Sequence, residues 1–253
     1  MVDIASAARL LDEAAHSARA IAQFGDGLSV ADAYAIQAAS ITRRLGRGER
    51  RIGMKMGFTS RAKMIQMGVH DMIWGRLTDA MLEEEGGVVH LSRFVHSRVE
   101  PEIAFLIGKE LAGIVTPLQA QAALAGVAPA MEMIDSRYEN FKFSLADVVA
   151  DNASSSGLVV GAWQPPSQSI GNLGMVMSID GAPVQIGSSA ALLGHPIRSL
   201  VAAARLVAEA GEVLSPGDIV LAGAATGAEA LRPGVHVRLE VQNLGTAEFV
   251  TAQ

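Results

Sequence analysis

The sequence predicts an α+β protein in which a closed or rolled sheet follows a small helical unit. Helical periodicity dominates the start of the chain, in residues 3–20 and about 30–45. From residue 52 onward the texture changes to short strands and glycine turns. The later helices fall between strands without the strand–helix–strand rhythm of a doubly wound sheet. The predicted division is a helical unit over 1–50 and a sheet-built catalytic domain over 51–253.

Residues 3–20 read as an amphipathic helix. Ser29 caps the second helix, Asp32 takes the capping-box position and Gly46 ends it. "GRGERR", 46–51, is an exposed connector. Thr116, Pro117 and Gln119 open a short helix that is expected to end near Gly126. "MVMSIDGAPVQIG", 175–187, is a hairpin with Asp180-Gly181 at its turn. Pro196 opens a helix that runs to about Gly211, and "SPGD" turns the chain into the strand "DIVLAG". In "VHVRLEVQ", 235–242, strict alternation puts Val235, Val237, Leu239 and Val241 on one face.

Composition narrows the function. The chain has 253 residues, is 50% hydrophobic and carries a net charge of −6, so it offers nucleic acid no basic face. With no cysteine it makes neither disulfide nor thiolate zinc site. No signal pattern opens it, and no apolar run reaches the roughly 18–20 residues of a membrane span. The expectation is a soluble, cytoplasmic protein. Positive mean hydropathy with only 4% aromatic residues points to an aliphatic core and buried subunit contacts. Glycine-rich nucleotide loops, G-x-S-x-G and H-E-x-x-H are all absent, and the six histidines are scattered.

The stretch "VEPEIAFLIG", 99–108, breaks the pattern of a buried strand with two acids. Residues two apart share a strand face, so Glu100 and Glu102 project side by side, opposite Val99, Ile103, Phe105 and Ile107. Adjacent carboxylates repel, and a hard divalent cation such as Mg²⁺ or Mn²⁺ relieves that. Glu132, in "APAMEMID", is a third acid in apolar surroundings. Spacing leaves two readings open: a three-carboxylate metal site, or a solvated sheet face.

A series of motifs in fixed order is more specific. "KMGFTS" (55–60), "VEPEIAF" (99–105), "PAMEMIDSRY" (129–138), "VADNASSS" (149–156), "LGHP" (193–196) and "GDIVLAGAATG" (217–227) resemble the hydratase/decarboxylase family of catechol meta-cleavage pathways, which is related to fumarylacetoacetate hydrolase. The resemblance implies a fumarylacetoacetate hydrolase-like mixed β-roll or barrel. It implies a metal, Mg²⁺ or Mn²⁺, held by Glu100, Glu102 and Glu132, with Lys55 as the active-site lysine. Asp151 and the serines Ser154 and Ser156 match a segment that borders the substrate pocket. The substrate would be an oxo-dienoate, and the expected partners are further copies of the chain and the pathway hydratase.

Three features resemble the decarboxylase branch more than the hydratases. Ile73, in "QMGVHDMIWG" (66–75), stands where hydratases place an acid that helps deliver water. "SRYENFKF" (136–143) and "GAATG" (223–227) also fit that branch. The implied reaction is decarboxylation of 2-oxo-3-hexenedioate. Arg137 and Lys142 are candidates for its distal carboxylate, and the loop residue Asp71 for gating or protonation. The alternatives are hydration of 2-hydroxypenta-2,4-dienoate, fumarylacetoacetate-type C–C hydrolysis, and a non-catalytic partner subunit.

Overall fold

The computed structural model describes residues 2–25, 27–60, 64–65 and 70–253. The start of the "QMGVHDMIWG" loop, 66–69, lies outside the described residues. Two sheets share one core. The larger, curled sheet has eight strands. Its path runs β2 (Ile73–Thr78), β1 (Arg51–Gly57), β10 (Ile219–Leu221), β5 (Arg98–Ile107), β6 (Leu124–Ile134), β7 (Ser155–Val160) and β3 (Leu82–Glu83), with β11 (Glu229–Ala230) on β5. The second has five, in the order β4 (Val88–His90), β13 (Gly245–Ala252), β12 (His236–Val241), β8 (Gly174–Ile179) and β9 (Ala182–Ser188).

The alternation expected in β5 is present. Val99, Ile103, Phe105 and Ile107 are buried in the main core. That core is closed by Val237, Leu239, Val241 and Phe249 of the second sheet and by the helix Ile197–Glu209. The other face of the curled sheet packs a further cluster in which Ala104, Ala128 and Ala130 lie among Leu77, Met81, Leu158, Ile219 and Leu221.

Helices α1 (Ile4–Ser17) and α2 (Val30–Gly46) start at the expected caps, with Asp3 and Ser29 accepting backbone N–H groups. Helix α3 (Pro117–Ala122) has its Thr116 capping box but stops short of Gly126, because β6 takes over at Leu124. The β8–β9 hairpin turns at Asp180 and Gly181, both with positive φ (50° and 78°), which matches the twist of the strands. The remaining helices are α4 (Leu145–Ala150) and α5 (Ile197–Glu209). Helices α1 and α2 share a hydrophobic cluster with α4, Ile73 and Tyr138. Buried Gln37 of α2 donates to the carbonyls of Trp74 (3.0 Å) and Val149 (2.8 Å), tying the helices to the roll.

Candidate metal centre and its cavity

Strand register decides the site. In the β5–β6 pair, Glu100 stands directly opposite Glu132, and Glu102 opposite Ala130. Paired residues project to one side of a sheet, so all three carboxylates converge. Each offers an oxygen within 4.8 Å of the others. Glu102 and Glu132 are fully buried and Glu100 half-buried.

Lys55 reaches this group from β1, two strands from β5 across β10. Its Nζ donates to Glu132 Oε2 at 2.9 Å. The Gly223 N–H donates to Glu102 Oε2 at 2.7 Å. Gly223 has φ +104°, and a Cβ there would meet Thr59 Oγ1 at 2.2 Å, so only glycine brings that N–H so close. Glu102 Oε1 and Glu132 Oε1 are buried without a hydrogen-bond partner among the described residues. Leaving two carboxylate oxygens so is costly, and their donor set is what a hard divalent cation takes. Among the described residues one ammonium, that of Lys55, faces the three carboxylates, and a divalent ion adds positive charge to the same oxygens.

Electrostatics agree. Burial, and then the charge of Glu132, push the Glu102 carboxyl well above its ordinary range. Burial works to lower Lys55, but Glu132, Glu100 and Glu102 outweigh it and hold the lysine charged.

The site opens into a cavity of about 590 Å³, lined by Lys55 and Glu100 and walled largely by Phe58, Ile73, Ile134, Phe143, Val148 and Ala153. Ile73 puts a hydrocarbon on that wall. Ser154 also lines it, and its Oγ is buried without a partner among the described residues. Asn152, Ala153 and Ser154 all hold positive φ (51°, 51° and 61°). Such strain costs of order 1–3 kcal/mol per residue and persists only where neighbours over-determine it. Here the Asn152 side chain is locked to the Arg76 backbone by two hydrogen bonds of 2.8 Å.

The other expected site residues stand elsewhere. Asp151 accepts from the Arg137 backbone N–H at 2.9 Å and from its guanidinium, and Arg137 also donates to Ser156. Burial pushes the Asp151 carboxyl up to about 6 against the pull of Arg137. Arg137 and Ser156 face a second cavity of about 410 Å³, and neither they nor Asp151 line the first. Asp71 is exposed and pairs with Arg205 of α5 at 2.7 Å. Lys142 is exposed after a short 3-10 turn. Their charges are thus spent in ion pairs or in solvent. Sequence reasoning passed over Arg98, although the two-residue period of β5 places it on the face of Glu100 and Glu102.

Residues 46–250 match the family described as fumarylacetoacetate (FAA) hydrolase, C-terminal. The chain belongs to this fumarylacetoacetate hydrolase family. Within it, the chain is 61% identical over 250 residues, 98% of each sequence, to a 4-oxalocrotonate decarboxylase from a Pseudomonas species. It is 34% identical over 255 residues, 98% of this chain and 95% of the relative, to a 2-keto-4-pentenoate hydratase from Paraburkholderia xenovorans strain LB400. The 4-oxalocrotonate decarboxylase of Pseudomonas putida G7, solved in complex with magnesium and adipate, superposes with a TM-score of 0.95 at 36% identity, over 98% of this chain and 97% of that one. The curled sheet with few helices is the fold of this family.

Proposed function

We propose that this protein is a divalent-metal-dependent carboxy-lyase. It converts 2-oxo-3-hexenedioate (4-oxalocrotonate) to 2-hydroxypenta-2,4-dienoate and CO₂ in meta-cleavage catabolism of aromatic compounds. The observation that carries this reading is the convergence of Glu100, Glu102 and Glu132, with two orphaned oxygens, beside Lys55 on an apolar-walled cavity. The 61% identical relative bears the name of that activity.

Glu100, Glu102 and Glu132 would hold Mg²⁺, and Mn²⁺ suits the same oxygens. When bound, the ion supplies a Lewis acid for the 2-oxo acid end of the substrate. Lys55 adds a fixed positive charge where negative charge develops on the C2 oxygen. The C5–C6 bond breaks, and its electron pair moves through C4 and C3 onto that oxygen. Protonation there completes the enol, and carbon and charge balance with release of one CO₂. The Ser154 hydroxyl is free to donate to a substrate oxygen. Ile73 places a hydrocarbon side chain on the cavity wall where an acid could have activated water, which supports decarboxylation over hydration. Asp151 acts at a distance, by fixing Arg137 and the strained turn that presents Ser154.

The helical residues 1–50 serve in this reading as a buttress for the roll of 51–253. A cytoplasmic location, self-association and a complex with the pathway hydratase belong to the same proposal. Exposed Ile114, Leu118 and Ile186 supply apolar contact surface. Among the described residues no helix is long and apolar enough to cross a membrane.

The test follows CO₂ release and ultraviolet absorbance from 2-oxo-3-hexenedioate with Mg²⁺. Glu102→Gln is expected to lower kcat at least about a hundredfold, and chelation to abolish turnover. Activity that survives either treatment refutes the assignment.

A further inference from the structure

Among the described lining residues of the cavity, Arg98 is the charged one that the metal centre does not use. Among the described lining residues the charged groups are Lys55, Glu100 and Arg98, and Lys55 is held by Glu132. Arg98 lies two residues before Glu100 on the same face of β5, about 6.6 Å along the strand. That offset is comparable with the length of a six-carbon diacid. Its guanidinium stacks over the ring of Phe141 at 4.5 Å and engages no acid among the described residues.

The platform is itself held in place. Asn140 and Phe141 adopt positive φ (58° and 56°), which aims the ring at the cavity. Phe141 meets Phe143 at 5.6 Å and the His96 ring edge-on at 6.2 Å. A guanidinium with one face on an aromatic ring keeps its N–H edge in plane and available, the geometry that grips a carboxylate with two hydrogen bonds.

We propose that Arg98, seated on Phe141, receives the distal carboxylate of a dianionic substrate and so sets selectivity for diacids over monoacids. The inference rests on the decarboxylase reading for the identity of the diacid, but its binding test does not. During decarboxylation negative charge leaves the distal carboxylate. A cation bound there stabilises the ground state at least as well as the transition state, so Arg98 acts on KM and selectivity, and not on kcat.

The experiment titrates Mg²⁺-loaded protein with adipate and with hexanoate by calorimetry. Wild type is expected to prefer adipate. Arg98→Gln should weaken adipate roughly ten- to a hundredfold while hexanoate changes by less than about threefold. Arg98→Lys should recover part of the preference, and Phe141→Leu should lose part of it. With 2-oxo-3-hexenedioate, Arg98→Gln should raise KM and leave kcat near wild type. Equal affinity of wild type for the two acids, or an adipate preference that survives Arg98→Gln, overturns the proposal. If Arg98→Gln does not fold, the same comparison with Arg98→Lys and Phe141→Leu decides. Adipate preference without CO₂ release would refute the decarboxylase reading while supporting Arg98 as the receptor.

Discussion

Replacing Lys55 by Met tests the electrostatic logic of the site. Lys55 is 4% exposed and its ammonium lies 2.9 Å from Glu132 Oε2. Without it, no ammonium among the described residues faces Glu102 and Glu132 in the metal-free protein, and the least costly relief is uptake of one more proton. Holding a carboxyl of ordinary value 4.5 protonated at pH 7 costs about 3.4 kcal/mol, at about 1.4 kcal/mol per pH unit. That agrees with the roughly 3–5 kcal/mol expected when one partner of a buried pair is removed. The sign follows from linkage. The extra proton is bound in the folded state and not in the unfolded one, so the penalty is small near pH 4.5 and grows as pH rises. Urea denaturation in a chelator should therefore show Lys55→Met destabilised more at pH 7.5 than at pH 5.5, approaching at the higher pH the roughly 3–5 kcal/mol expected for a broken buried pair. Excess Mg²⁺ should narrow the gap, because a divalent ion replaces the missing charge. Equal destabilisation at the two pH values, or less than about 1 kcal/mol at pH 7.5, refutes the reasoning.

Two further outcomes follow from the same geometry. Burial and Glu132 keep Glu102 protonated above its ordinary range, so a cation must displace a proton to bind. Calorimetric titration with Mg²⁺ should show proton release between buffers of different ionisation enthalpy, and affinity should climb with pH; a buffer-independent enthalpy counts against this. Asp151→Asn breaks the buried pair with Arg137 and should cost about 3–5 kcal/mol, lowering Tm by about 6–20 °C. Its kcat should fall far less than that of Glu102→Gln, and loss of kcat at unchanged Tm would show that Asp151 takes part in the chemistry.

Features carried by local rules were legible in the sequence. Asp180-Gly181 turns a hairpin because both positions tolerate positive φ. Val235, Val237, Leu239 and Val241 point inward because a strand has a period of two. The helix from Thr116 shows the limit of such reasoning. Its cap is plain in sequence, but its end is set by where β6 pairs with β5, a long-range matter. Arg137 and Asp151 show it again. Both are charged residues in site motifs, and nothing local says that one neutralises the other away from the cavity.

Read along one strand, Glu100 and Glu102 share a face and the opposite face enters the core, and the ordered motifs mark the chain's family. Those properties depend on residue type and on spacing along one strand. Pairing in three dimensions sets Glu132 opposite Glu100, brings Lys55 across from β1, and rests Arg98 on Phe141 in the lining of the same cavity. Such pairings depend on register between strands far apart in sequence. Register is chosen by burial of whole faces against the core, and no single segment contains that information.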